Sequence, residues 1–150
     1  RKQEICVAGV VGDVAETLAA EIAETGAKIE LDGALGVVEA DGALFRLLLQ
    51  NLIGNALRYR SPDRAPVMRI VRGAAPGAGL EVIDNGRGFE NKHKHEIFQP
   101  FKRLFSASEI KGSGVGLAIC TRICERHGWR LSAEGVPDQG ATFRISFAGG

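Results

Sequence analysis

Hydrophobic positions recur along this chain with two periods, and the switches between them lay out the elements. Val11, Val14, Leu18 and Ile22 follow at three- and four-residue steps while Glu16 and Glu24 fall elsewhere, which predicts a helix over residues 10–25 that stops at Gly26. Two short strands are expected over 28–31 and 36–39, around an Asp32-Gly33 turn signal. Asp41 stands where an N-cap would, ahead of a helix that runs to about residue 59 and is ended by Ser61-Pro62. Residues 67–72 and 80–83 read as strands separated by a Gly- and Pro-rich stretch at 73–79. A third helix is expected over 116–127. Beyond it, Trp129, Leu131 and Ala133 alternate with Arg130, Ser132 and Glu134, and Phe143, Ile145 and Phe147 alternate with Arg144 and Ser146. That pattern is a hairpin with one buried face, turned by residues 135–140. Three helices with these strands predict a two-layer α/β sandwich, the helices on one face of a mixed sheet of roughly five strands.

Residues 90–113 break the pattern. Periodic apolar positions are few there and charges many, so a long loop with at most a short helical turn is expected. A loop of that length inside a compact domain is usually functional.

Bulk properties narrow the partners. At 150 residues the chain fits one domain with a real core. Its net charge of +1 gives no global attraction to nucleic acid or to an anionic membrane surface. No apolar run approaches the ~20 residues of a membrane span, and no signal-peptide pattern opens the chain. The start, Arg1-Lys2-Gln3-Glu4 without Met, reads as a piece of a longer protein. Cys120 and Cys124, four apart on a helix and without a second ligand pair, read as small buried hydrophobes. Reduced thiols fit the cytoplasm. His93 and His95 lack a third ligand for a metal.

The second helix carries the first candidate chemistry. Phe45, Leu48, Leu49, Leu52 and Ala56 share one face, and Asn51, Asn55 and Arg58 lie in a narrow arc beside it. Two amides at the edge of a core need partners. Downstream, Asp84-Asn-Gly-Arg-Gly88-Phe follows a strand and is a strong turn signal. Gly112-Ser-Gly-Val-Gly116-Leu117 enters a helix, where backbone N–H groups and the helix dipole favour phosphate. Its G-x-G-x-G spacing after a charged loop does not fit a dinucleotide fingerprint, and no P-loop Lys-Ser/Thr follows.

Asn51-Leu-Ile-Gly-Asn55-Ala, Asp84-Asn-Gly-Arg-Gly88-Phe, Ile97-Phe-Gln-Pro-Phe101-Lys-Arg103 and Gly112-Ser-Gly-Val-Gly116-Leu117, in this order, resemble the N, G1, F and G2 boxes of the sensor histidine kinase ATP-binding domain. That family belongs to the superfamily of gyrase, heat-shock chaperone and mismatch-repair ATPases. The resemblance implies a Bergerat-type sandwich with an ATP lid over about 90–113, and ATP with Mg²⁺ as cofactors. It implies that the Asn55 side-chain oxygen meets Mg²⁺, Arg58 meets phosphate, and Tyr59 lies beside ribose and adenine. It implies that Asp84 accepts from the adenine 6-amino group, Gly86 and Gly88 let the backbone approach the base, and Phe89 packs near it. Lys102 and Arg103 reach from the lid, whose hinge Phe98 and Phe101 anchor. It further implies that Gly112, Ser113, Gly114, Val115, Gly116 and Leu117 bind phosphate, and that Thr142 supports Asp84 directly or through water.

Asn51 stands where gyrase-like hydrolases carry a Glu. An amide cannot act as general base, which favours a kinase over a self-contained hydrolase. None of the three histidines sits in a long helix followed by an acid. The resemblance therefore places the phosphoacceptor on a separate upstream helical-hairpin domain, through which the full-length protein forms a homodimer, while this piece stays monomeric. A response regulator receiver domain would be the next partner, with neither nucleic acid nor membrane contacted by this domain. Residues 50–60 resemble kinases attached to bacterial phytochromes. A serine kinase of the anti-sigma type, which should carry an acid at position 51, and a degenerate docking module are the alternatives.

Overall fold

The computed structural model describes residues 2–74, 78–99 and 116–147. Its elements are β1 (Lys2–Cys6), α1 (Val7–Thr17), α2 (Ala19–Thr25), β2 (Lys28–Asp32), β3 (Val37–Asp41), α3 (Gly42–Arg58), β4 (Val67–Arg72), β5 (Leu80–Asp84), α4 (Gly116–His127), β6 (Arg130–Val136) and β7 (Gly140–Ser146). Two short 3₁₀ turns, Asn91–His93 and Glu96–Phe98, open the charged segment.

The main sheet has five strands in the order β2-β4-β5-β7-β6, parallel between β2 and β4 and antiparallel elsewhere. Helices cover one face. Met68, Ile70, Leu80, Val82, Phe143 and Ile145 point up from the strands into a core built around α3. Nine of the 17 residues of α3 are buried, because its apolar stripe meets the sheet below and α1 and α4 at its flanks. The opposite face is polar: Arg144 Nε binds Glu81 Oε2 at 2.7 Å and Nη1 binds Glu134 Oε1 at 3.1 Å, and Arg69 pairs with Asp32. Exposed pairs of this kind add little stability, but they keep that face wet. This is the two-layer sandwich the periodicity predicts.

Three local expectations are corrected. The first helix starts at Val7 and breaks at Leu18, whose backbone (φ −99, ψ 17) leaves the helical region while its side chain stays in the core. The strands expected around Asp32-Gly33 are no hairpin: β2 joins the main sheet beside β4, whereas β3 pairs with β1 in a separate two-stranded sheet. Arg72 reaches the connection between them, donating from Nη1 to Leu35 O (2.7 Å) and Val37 O (3.0 Å). Strand β1 itself was not expected. Its Lys-Gln-Glu start has no strand signal, and only Ile5 is buried; pairing with β3 imposes the conformation.

Asp41 caps α3 as its position implies, with Oδ1 accepting from Leu44 N at 3.1 Å. Its backbone N–H is held in turn by His127 Nε2 at 3.1 Å, from the far end of α4. His127 Nδ1 donates to Ile123 O at 2.8 Å, and the ring stacks on Trp129 with centroids 4.4 Å apart. One nitrogen accepts and the other donates, so the ring is the neutral tautomer these partners require.

Helix α1 offers a simple check on the energetics. Gly12 lies in its exposed interior, and a Cβ there would meet nothing within 4 Å. Gly12→Ala is therefore expected to stabilise the chain by about 0.5–1 kcal/mol. A urea titration should show a higher midpoint with unchanged slope.

Candidate functional site

The N-box residues lie on the last three turns of α3. Asn55 is 8% exposed, and among the described residues its side-chain amide makes no hydrogen bond. Its polar atoms still reach solvent, so the amide is open to a ligand at the edge of the core. One turn earlier, Asn51 Nδ2 donates to Leu47 O of its own helix at 2.9 Å, which turns Oδ1 outward. A Cβ placed on Gly116 would lie 2.9 Å from that oxygen and 3.6 Å from Arg58 Nη2. The start of α4 thus meets Asn51 and Arg58 in one place. Leu117, the next residue, is half-buried against the core.

Asp84 ends β5, whose antiparallel pairing sets Ala141 of β7 directly opposite. Its Oδ1 accepts from Gly86 N at 2.8 Å and from Ala141 N at 3.3 Å. Among the described residues Oδ2 makes no hydrogen bond, so one carboxylate oxygen is fixed and the other is available. Burial raises the carboxyl from its ordinary 3.8 to about 6, against the two backbone bonds that lower it.

The loop after Asp84 is packed against the end of α3. Arg87 N donates to Tyr59 O at 2.8 Å, and a Cβ on Gly86 would sit 2.5 Å from the same oxygen. Tyr59, half-buried, therefore borders the loop through its backbone, as a Gly at 86 permits. Gly88 adopts φ +64, and a Cβ there would lie 2.1 Å from Val136 O and 2.6 Å from Gly140 O. Phe89 is buried in the core against Gly135 of the edge strand β6, where a Cβ on Gly135 would lie 2.7 Å from the ring. It supports the loop from beneath.

Thr142 is not brought to Asp84. It pairs with Ile83, so it shares the polar face of the sheet with Arg144, and the contact expected of its hydroxyl is made by the Ala141 N–H. The reason is register: adjacent strand residues point to opposite faces, and Ala141 holds the place opposite Asp84. Phe98 packs edge-on against Phe143 with centroids 6.1 Å apart, anchoring the start of the expected lid. Lys102, Arg103, Gly112, Ser113, Gly114 and Val115, with Phe101, lie outside the described residues. Among the described residues no His, Cys, Asp and Glu group could hold a metal ion, and Cys120 and Cys124 are buried as expected. His93 Nδ1 lies 3.0 Å from Glu96 Oε1.

Two residues to which the sequence assigns no role of their own help build the site. Asn85 brackets the start of β4, its Oδ1 accepting from Val67 N (2.8 Å) and its Nδ2 donating to Ala65 O (3.1 Å). Arg64 donates from Nε to Asn85 O (2.8 Å) and from Nη2 to Gly86 O (3.0 Å) and Asp138 O (2.7 Å). Asn85 falls inside the turn signal that follows Asp84, whereas Arg64 lies in a turn-rich stretch where nothing in spacing or composition sets it apart.

A carboxylate oxygen and an α3 amide that make no hydrogen bond among the described residues, together with glycine-dependent backbone turns on this two-layer sandwich, fit a Bergerat-type ATPase domain. Comparison with known proteins agrees. The profile of the histidine kinase-, DNA gyrase B-, and HSP90-like ATPases matches residues 40–149, and the chain belongs to that family. It is 36% identical over 138 residues to the phytochrome-like protein Cph1 of Synechocystis sp., covering 91% of this chain and 18% of that one. Full-length ShkA in complex with AMPPNP superposes with a TM-score of 0.79 at 25% identity, over 97% of this chain and 31% of that one. Histidine kinase ThkA in complex with the response regulator TrrA gives 0.73 at 22% identity, over 96% and 40%. The chain thus spans about a fifth of the length of the curated relative. Among the described residues no helix is long and apolar enough to cross a membrane.

Proposed function

We propose that this chain is the ATP-binding catalytic domain of a two-component sensor histidine kinase. It binds Mg-ATP and presents the γ-phosphate to a histidine on a separate helical-hairpin domain, from which a receiver domain takes it. The observation that carries this reading is the Asp84 carboxylate: Oδ1 is clamped by two backbone N–H groups and Oδ2 is left to accept from an amino group. Adenine presents such a donor, whereas guanine presents a carbonyl to the same acceptor.

The rest of the site fits a triphosphate. The free Asn55 amide suits Mg²⁺, a hard ion that takes a few protein oxygens and keeps water and phosphate for the rest. When bound, the ion neutralises charge developing on the phosphates. Asn55 would lend the ion its oxygen, Arg58 would face the phosphates, and Gly116 admits them close to α3. Asn51 holds no proton-accepting group, so the chain binds the nucleotide without activating water. On this reading the acceptor histidine belongs to a separate helical-hairpin domain, with the homodimer and the receiver domain as the partners it implies.

Calorimetric titration with ATP, with and without Mg²⁺, is the test. Wild type is expected to bind ATP in preference to GTP, more tightly with Mg²⁺, and Asn55→Ala is expected to erase the Mg²⁺ dependence. A Mg²⁺-assisted titration that Asn55→Ala leaves unchanged would move the ion elsewhere. Phosphate should then appear on an added helical-hairpin domain as an acid-labile phosphohistidine, and acid-stable phosphate would point to a serine kinase instead.

A further inference from the structure

We infer that Arg64 is a positioning residue for adenine recognition, acting through the two backbone N–H groups that hold Asp84. The inference rests on the ATP-binding reading above. Three carbonyls from two separate segments converge on one guanidinium: Asn85 O, Gly86 O and Asp138 O, at 2.8, 3.0 and 2.7 Å. Asn85 O and Gly86 N are the two ends of a single peptide unit. Arg64 Nε holds the oxygen end while Asp84 Oδ1 holds the N–H end at 2.8 Å. The plane of that peptide is therefore fixed from both sides, and its N–H is aimed at the carboxylate.

The third bond does the same for the second donor. Asp138 sits in the turn between β6 and β7 with φ 63, and its N–H donates to Arg87 O at 2.7 Å. That turn leads into Gly140 and Ala141, whose N–H reaches Asp84 Oδ1 at 3.3 Å. By holding Asp138 O and Gly86 O on one planar fork, Arg64 ties the turn to the Asp84 loop. Both donors to Oδ1 then keep their spacing, and Oδ2 keeps its direction. A lysine can place one charge there but cannot span three carbonyls from a rigid plane.

Arg64 is itself exposed at the surface, so its removal opens no cavity. Affinities of wild type, Arg64→Ala and Arg64→Lys for Mg-ATP, Mg-GTP and Mg-tripolyphosphate separate positioning from mere stabilisation. Arg64→Ala is expected to lose about tenfold in ATP affinity, a loss of about 1.4 kcal/mol. Its preference for ATP over GTP should narrow, while tripolyphosphate, which lacks the base, should change by less than about twofold. Arg64→Lys should fall between.

Unchanged ATP binding by a folded Arg64→Ala would overturn the inference, as would an equal loss of ATP and tripolyphosphate. If Arg64→Ala does not fold, the ratio of ATP to tripolyphosphate affinity in Arg64→Lys decides the matter in the same way. Wild type that fails to bind ATP would remove the nucleotide reading and this inference together. Wild type that binds ATP with Arg64→Ala unaffected would remove this inference alone.

Discussion

Asp84→Asn is expected to weaken ATP binding about a hundredfold at neutral pH while making the folded chain more stable. The first effect follows from geometry. The Asn oxygen would stay with the Gly86 and Ala141 N–H groups that now hold Oδ1. Its NH₂ would then replace Oδ2, and a donor would face the adenine amine. A hydrogen bond to a charged group is worth about 1.5–3 kcal/mol, and turning it into a donor–donor contact brings the loss to the upper end.

The second effect follows from linkage. Burial raises the Asp84 carboxyl from 3.8 to about 6. Between those values the folded chain keeps a proton that the unfolded chain has released. The stability this proton confers is complete below about pH 4 and is lost as pH rises through about 6. The difference corresponds to about 3 kcal/mol at most. Asparagine carries no charge to bury, so the variant should gain on the order of 1–3 kcal/mol at neutral pH and converge with wild type below about pH 4. Urea titrations across this range check the stability. ATP affinity should run the opposite way, rising in wild type as Asp84 ionises through about pH 6 and staying flat in the variant. A variant no more stable than wild type at neutral pH would show that solvent relieves the buried charge.

Gly88→Ala carries a large structural penalty. The residue sits at φ +64, and its Cβ would lie 2.1 Å from Val136 O and 2.6 Å from Gly140 O. Both are backbone atoms of the β6–β7 hairpin, so no side chain can swing aside. The loop or the hairpin must move, at a cost of about 3 kcal/mol or more. Because Gly140 adjoins Ala141, displacement of the hairpin also disturbs the N–H that holds Asp84. Denaturation should show a large drop in midpoint, and ATP binding should be weak even where the variant is folded. The contrast with Gly12→Ala, expected to stabilise, separates steric conflict from loss of glycine as such.

Much of this was legible in the sequence because the determining patterns are local. Periodicity located α3, α4 and the β6–β7 hairpin, and the N-cap at Asp41 falls where its residue type implies. Asn51 and Arg58 meet at the start of α4 because helix spacing sets them on one side of α3, and Asp84 stands at a strand end beside the loop that packs on Tyr59. What was not legible depends on pairing. Strand β1 exists only through β3, and β2 and β3 part company because each has a partner distant in sequence. The misplacement of Thr142 is a matter of a single residue of register, invisible without knowing that Ala141 faces Asp84. Arg64 was missed because a side chain that binds carbonyls recognises shape and leaves no composition signature.

The parallel pairing of β2 with β4 also has a consequence for folding. The two strands are neighbours in the sheet, yet residues 33–66, including all of α3, lie between them. Their contact requires a long closure that the β6–β7 hairpin does not. Until β2 docks, β4 stands as an open edge with Met68 and Ile70 on one face, and such an edge is a template for another copy of the chain. An interval in which α3 has settled on the sheet and β2 has not yet closed its side would therefore be a hazardous one for this domain.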